Sequence, residues 1–383
     1  MDSLPLSSMD DKLDDRIAKV VILLMAMGTV FVFSASTSLG QDFSWHRFYR
    51  YVGARQLVYF PLAVLIMFMF SYFNHHWFSF RHGFWKSFTP YGLGLSIILL
   101  VMVLCLGTVK GGARRWLIVP MGPVDISLQP SELAKWMTVF FLAAVCARQE
   151  FELKSFFRHF LPICMVVALV VGLILVEDFG TAAFIALLSV FILIMGGARW
   201  WHILSPLPPA ALLFTVAILR YPHRIKRLLA FLHPEQYADT VAYQANQSLI
   251  ALGSGGLLGK GLGKGICKYG GLPEDTTDFV FSIIGEELGL VGTLMVILLF
   301  LGFLWLGFRV TLRARDGFSR LLAAGITLGI TIQAALNIGV VTVVLPTKGI
   351  PLPFVSGGGT SLLVSAAAIG ILLNIAKCEN RHL

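Results

Sequence analysis

Ten stretches of this chain contain no Asp, Glu, Lys or Arg: Val20–Gln41, Gln56–Phe80, Ser87–Val109, Trp136–Ala147, His159–Val176, Phe179–Ala198, Trp200–Leu219, Leu288–Phe308, Leu321–Thr347 and Gly349–Ala376. A helix needs about 20 mostly apolar residues to cross the hydrocarbon core of a bilayer. Nine of the ten runs reach that length or nearly so, and Trp136–Ala147 is short. Composition removes the alternatives. Of 383 residues, 57% are hydrophobic and 13% charged, where an ordinary soluble domain carries about 25% charge. So little charge cannot cover a globular surface, and disordered chains show the reverse composition. The expected fold is all-α, a single polytopic membrane domain with ten transmembrane helices. The net charge of +9 does not point to nucleic acid, because the Lys and Arg residues are scattered between apolar runs and form no basic face.

The fourth run crosses only if its helix starts near Pro130, which draws Glu132 and Lys135 into the membrane end. Spaced three apart, these two share a helix face and can pair. Charge inside a span tends to face a cavity or the bundle interior; snorkelling to the interface is the alternative. Asp2, Asp10, Asp11, Asp14 and Asp15 precede the first run and spoil the basic leader of a signal peptide, so that run is read as a retained span. With the N-terminus assigned to the cytoplasm, Lys and Arg divide 15 inside to 15 outside. Seven of the outer residues lie in the long segment 220–279, and long loops translocate largely regardless of charge. The remaining loops hold 15 inside against 8 outside. Both termini, with tails at 1–17 and 377–383, are therefore expected in the cytoplasm. Segment 220–279 becomes a large extracytoplasmic loop between helices seven and eight. Five cysteines imply no disulfide framework. His75, His76 and His202 are too isolated in sequence to suggest a metal site.

Polar groups gather in three places, all outward-facing under this assignment. The first runs from Lys110-Gly-Gly-Ala-Arg-Arg-Trp116 to Gln129-Pro-Ser-Glu-Leu-Ala-Lys135. Arg114 and Arg115 suit a phosphate, since a guanidinium fork binds it bidentately; an interfacial anchor of Trp and Arg is the other reading. The second is 220–279, with Gln244, Gln247 and Ser248, then a glycine run from Gly253 to Gly265. Gly259-Lys260 and Gly263-Lys264 are followed by Gly, not Ser or Thr, so the run is no P-loop, and no dinucleotide fingerprint fits. It reads as tight, re-entrant backbone offering Lys260, Lys264 and Lys268 to an anionic head group, or as a plain flexible loop. Asp278 follows, against Phe279, Val280 and Phe281, with Glu286 and Glu287 two turns on. A carboxylate among apolar groups can serve as a general base, and Asp is equally a favoured helix cap. The third is Leu345-Pro-Thr-Lys-Gly-Ile-Pro-Leu-Pro-Phe-Val-Ser-Gly-Gly-Gly-Thr-Ser361. Such broken backbone at membrane depth survives only where protein or water covers it. Lys348 is the sole charge between Arg320 and Lys377. It suggests a bound anion or an acidic partner, Glu132, Asp278 or Glu286, unless it merely snorkels.

In order, Gly-Ala-Arg-Arg-Trp, Gln-Pro-Ser-Glu-Leu-Ala-Lys, Tyr-Gln-x-x-Gln-Ser-Leu-Ile-Ala-Leu-Gly-Ser-Gly-Gly, Leu-Pro-Glu-x-x-Thr-Asp-Phe, Gly-Glu-Glu-Leu-Gly and Pro-Leu-Pro-Phe-x-Ser-x-Gly-Gly span Gly112 to Ser361. This series resembles the SEDS family (shape, elongation, division and sporulation) of cell-wall polymerases. Leu345-Pro-Thr-Lys-Gly349 looks more like its division-type branch than its elongation-type branch. The resemblance implies a peptidoglycan glycosyltransferase of the bacterial inner membrane, acting at the division septum. It would polymerise lipid II, release undecaprenyl pyrophosphate and work with a class B penicillin-binding protein. The family's essential acid maps to Asp278, and the division-branch lysine to Lys348. Three positions depart from the family pattern: Thr276 replaces His, Gly357 replaces Tyr, and Glu177-Asp178-Phe179-Gly180-Thr181 lacks the usual Pro.

An outward site has no reliable supply of nucleotide sugars, so activation must arrive with the substrate, as a lipid-linked pyrophosphate does. Asp278 is then the candidate catalytic base. Arg114, Arg115, Lys135 and Lys348 are candidates for holding the leaving pyrophosphate, Gln129, Glu132, Gln244, Ser248 and Glu286 are further substrate-binding candidates, and Arg114, Arg115, Glu132, Lys135, Asp278, Glu286 and Lys348 are expected to line one outward cavity. A divalent cation, Mg or Mn, could share the charge, although no ligand set is visible. The competing classes are a lipid II flippase and a non-catalytic scaffold for the transpeptidase.

Overall fold

The computed structural model describes residues 13–36, 52–110, 113–121, 124–148, 155–220, 222–237, 242–268 and 276–380. Most of the N-terminal tail, residues 381–383 and the Leu272-Pro-Glu-Asp stretch lie outside the described residues. Each of the ten apolar runs carries a helix: α1 (Leu13–Ser36), α2 (Val52–Ser71), α3 (Phe88–Leu106), α4 (Pro130–Cys146), α5 (Leu161–Glu177), α6 (Phe179–Met195), the pair α7 (Trp200–Leu204) and α8 (Leu207–Leu219), then α11 (Val280–Arg313), α12 (Gly317–Val341) and α13 (Gly359–Asn380). Between α8 and α11 lie α9 (Pro222–Leu232) and α10 (Tyr243–Gly255). Among the described residues, eight segments are long and apolar enough to cross a bilayer. The remaining two runs hold α4 and α6, each of 17 residues.

α4, α12 and α13 form the buried centre of the bundle, whereas α8 buries no residue. Small residues let the central helices approach. A Cβ on Gly325 of α12 would stand 2.6 Å from Val139 of α4, and one on Gly370 of α13 would stand 2.4 Å from the Met67 carbonyl of α2. In a bilayer, where apolar burial alone does not favour helix contact, such close packing holds helices together.

The connections segregate to two ends. At one, Lys377 and Asn374 of α13 bond the Ser71 hydroxyl and carbonyl, and His75 reaches Asn374 and Ser319. At the other, three strands, β1 (Thr108–Lys110), β2 (Ala113–Met121) and β3 (Val124–Leu128), form an antiparallel sheet. Thr360 of α13 bonds the Ser127 carbonyl there, and the Gly357 amide donates to the Thr276 carbonyl. The loop expected before the fourth span is thus a small sheet, and the long segment 220–279 holds two helices.

α11 breaks at Gly289, which sits at φ 67°, a conformation only glycine adopts easily. The glycine run fills the break. Amides of Lys260 and Gly261 donate to the Glu286 and Glu287 carbonyls, while those of Leu290 and Val291 donate to Gly256 and Leu257. The run is tight, ordered backbone, and two of its three lysines are engaged by protein. Lys260 pairs with Glu286 at 2.7 Å, and Lys268 with Glu287 at 2.9 Å, with Ser34 bonded to both members of the second pair.

Candidate active site

Arg114 and Arg115 are neighbours on β2, and successive strand residues point to opposite faces. One of the two therefore serves the site. Arg115 donates through Nε and Nη2 to the Glu177 carbonyl at 3.1 and 2.9 Å, and its Nη1 lies 3.5 Å from Asp178 Oδ2. Arg114 is exposed and contributes its backbone amide to Glu177 Oε2. Asp178 occupies the gap between α5 and α6. It caps α6, accepting from the Thr181 amide and hydroxyl.

Asp278 does not cap α11; that position belongs to Phe279, which makes no side-chain cap bond. What fixes Asp278 is Asn337 on α12. Its Nδ2 donates at 2.8 Å to the carbonyls of both Asp278 and Ile350. One amide thus ties the acid to the loop that follows α12. In that loop Gly349 makes room: a Cβ there would stand 3.2 Å from Asp278 Oδ2 and 3.6 Å from Arg115 Nη1. Carboxylate, guanidinium and loop backbone meet at this glycine.

Lys348 lies with its Nζ 5.1 Å over the Phe179 ring. Burial pushes its ammonium below the usual lysine range, and Asp178 opposes that shift. Its acidic neighbours include Asp178, which the sequence reading did not offer, while Glu132 and Glu286 are paired with Lys135 and Lys260. Arg227 of α9, whose side chain keeps contact with solvent, is likewise pushed down by partial desolvation and by Arg115, and held up by Asp278 and Asp178. A cavity of about 110 Å³ is lined by Arg115, Asp178, Arg224, Arg227, Lys348 and Gly349, among others. An apolar cavity of about 180 Å³ shares Lys348 and runs past Leu187, Leu336 and Val340. On the other side of Asp278, a cavity of about 550 Å³ is lined by Arg55, Gln56, Tyr59, Trp116, Thr276, Thr277 and Gly357 to Gly359. Two departures from the family pattern, Thr276 and Gly357, bond each other on its wall.

The remaining expected site residues do not join these cavities. Glu132 and Lys135 are buried at 3% and 1% exposure, so they do not snorkel. Lys135 Nζ bonds Glu132 Oε2 at 2.7 Å and Gln333 Oε1 at 2.9 Å, and Ser361 donates to Glu132. Gln333 in turn donates to the Pro351 carbonyl, so this network props the Lys348 loop from beneath. Glu286 is occupied by Lys260 and by the Ile266 and Cys267 amides. Ser248 is fully buried, bonded to Ser282 and the Val341 carbonyl. Gln129 is the half-buried N-cap residue of α4 without a side-chain cap bond, and Gln244 is half-buried on α10. One expected cavity has become three, with two interior networks apart from them.

Asp178, Arg224, Arg227 and Gln56 were missed. The Glu177-Asp178 interruption between two apolar runs was a visible signal for the first. Arg224 and Arg227, three apart in an amphipathic stretch, were a weaker one for the next two. At the opposite end of the bundle, His75, His76 and Asp316 bring their ligand atoms within 4.8 Å of one another. The two histidines are therefore not isolated in space. Both ring nitrogens of His75 are already engaged, by Asn374 Oδ1 and the Ser319 hydroxyl, each at 2.7 Å. Burial lowers His75 to about 4, against the Asn374 bond.

A sequence model of FtsW, RodA and SpoVE, described as a cell cycle protein family, matches residues 15–381. The probable peptidoglycan glycosyltransferase FtsW of Geobacter metallireducens is 36% identical over 93% of this chain and 94% of its own length. Stage V sporulation protein E of Bacillus subtilis is 34% identical over 94% and 95%. Among solved structures, a chain described under "Structural coordination of polymerization and crosslinking by a peptidoglycan synthase complex" superposes with a TM-score of 0.73 at 26% identity, covering 95% of this chain and 97% of its own. The rod shape determining protein RodA of Thermus thermophilus gives a TM-score of 0.65 at 25% identity, covering 94% and 95%.

Proposed function

The chain belongs to the FtsW, RodA and SpoVE family, and on that premise we propose that it is a peptidoglycan glycosyltransferase polymerising lipid II during septal wall synthesis. Undecaprenyl pyrophosphate leaves, and Asp278 is the general base. The observation that carries this reading is the meeting of Asp278 and Arg115 at Gly349, beside Arg227 and Lys348. The acceptor sugar's hydroxyl gives its proton to Asp278 as its oxygen bonds the donor's anomeric carbon. The bond from that carbon to the pyrophosphate breaks, and its electron pair leaves on the phosphate oxygen. Base help of this kind contributes about 10²–10⁴ in rate. Arg115, Arg227 and Lys348 stabilise the charge that develops on the leaving group, and the apolar cavity past Leu336 suits the start of a polyprenyl tail.

A divalent cation is not needed for this reading. Asp278 and Asp178 face arginines and a lysine, a set better matched to an anion than to a metal, and no step here runs through one. Both termini lie in the cytoplasm, which turns the site outward, where the lipid-linked substrate must bring its own activation. The partner is a class B penicillin-binding protein, in keeping with the synthase complex of one relative.

The test uses purified full-length protein in lipid with labelled lipid II, alone and with the transpeptidase. Wild type is expected to make glycan chains, and Asp278→Asn to make them 10²–10⁴-fold more slowly with an unchanged unfolding temperature. Wild-type rates from Asp278→Asn would refute the base. No chains from wild type under either condition would leave the flippase or the scaffold.

A further inference from the structure

Gln56 of α2 is 2% exposed, and its Nε2 donor has no hydrogen-bond partner. Buried amides of this kind are rare, because an unmade bond costs more than a made one gains. The same side chain borders the cavity of about 550 Å³ beside Asp278. A buried donor without an acceptor, at the wall of a cavity, is satisfied when a ligand brings the acceptor.

The two polar cavities differ in chemistry and size. The one of about 110 Å³ presents Arg115, Arg224, Arg227 and Lys348. It suits a small, multiply charged group. Among the described residues that line it, the one of about 550 Å³ carries one cation, Arg55, with Trp116, Tyr59, Thr276 and Thr277. That volume falls within the range of small-molecule sites. Aromatic faces, hydroxyls and a free amide donor match a neutral, hydroxyl-rich ring bearing a carbonyl. Asp278 is the boundary: Thr277 before it lines the larger cavity, while its own carboxylate faces Gly349 of the smaller.

We propose that the larger cavity is the subsite for the acceptor sugar, an N-acetylated hexosamine, and that Gln56 is its specificity residue, donating Nε2–H to the acetamido carbonyl. This rests on the reaction proposed above. It places the attacking hydroxyl on the Thr277 side of Asp278 and the leaving pyrophosphate on the Arg115 side.

The experiment is a two-by-two comparison. Wild type and Gln56→Met are each given lipid II and lipid II whose non-reducing sugar is N-deacetylated. Removing either the amide or the acetyl group is expected to raise KM about tenfold, with kcat falling less than threefold. Removing both is expected to cost little more than removing one. The unfolding temperature of ligand-free Gln56→Met should hold or rise, because the donor it removes has no partner. A wild-type KM for the variant, additive losses, or a lower unfolding temperature would overturn the assignment. If Asp278→Asn polymerises normally, the reaction itself is misread. If Asp278→Asn is inactive and only the two-by-two comparison is additive, the subsite alone fails.

Discussion

At one end of the bundle Arg115, Asp178, Asp278 and Lys348 gather around open space. At the other, His75, Asn374, Ser319 and Asp316 touch directly. The first group sits in connections between apolar helices, the second adds Ser319 of α12 and Asn374 of α13 to such connections, and both mix charge with burial. Their stoichiometry differs. Around His75 the donors and acceptors are matched: Asn374 fixes one ring nitrogen, Ser319 faces the other, and Asp316 accepts from Ser319. Around Asp278, four cations line a cavity against two carboxylates. A matched cluster closes a structure, since unpaired buried polar groups are costly. An excess of cations with space beside it suits an anion.

The Glu132–Lys135 pair tests this distinction most severely, because it lies beneath the open end yet is matched like the closed one. Lys135→Met strands a buried carboxylate, which should cost about 3–5 kcal/mol, read as a lower unfolding temperature. Glu132→Gln added to it should recover part of that loss. Activity lost without destabilisation would move the pair into the chemistry.

Arg115→Ala probes the unmatched end. We expect kcat to fall about 100-fold with little change in unfolding temperature, and Arg115→Lys to restore only part, because a lysine cannot reproduce the guanidinium fork. A drop in stability instead would make Arg115 a structural partner of Glu177 and Asp178.

His75 gives the smallest effect. It titrates at about 4 in the folded protein, lowered from 6.5 chiefly by burial, with His76 lowering it further and Asp316 opposing. As pH falls below 6.5, the unfolded chain therefore binds a proton that the folded one refuses. Stability should be level above that pH and decline towards about 4. Unfolding temperature measured across this range should show the decline, and His75→Gln should flatten it. An unchanged profile would mean that another group titrates there.

The helices were legible because burial in lipid leaves a long uncharged run little other choice. Lys348 stood out as a charge in uncharged surroundings, and Asp278 as a carboxylate set against Phe279, Val280 and Phe281. Glu132 and Lys135 stood out equally, yet they form an interior pair, because spacing reveals that two residues can meet and not what else meets them. Gln56 gave no signal at all: nothing local marks a buried amide as unpartnered. The Arg114-Arg115 pair became one site residue only when a strand set them on opposite faces.

Sequence alone determined the ten helical runs and the absence of a phosphate-loop fold in the glycine run, which depend on residues near one another in the chain, while the family resemblance singled out Asp278 as the candidate acid. Tertiary structure decided that Asn337 clamps Asp278 to the Lys348 loop, that Asp178 and Arg227 join it, and that Glu286 and Ser248 do not. Those outcomes depend on which helices pack together and at what distance. Close packing at glycines such as Gly325 and Gly370 sets that distance, and no single stretch of chain encodes it.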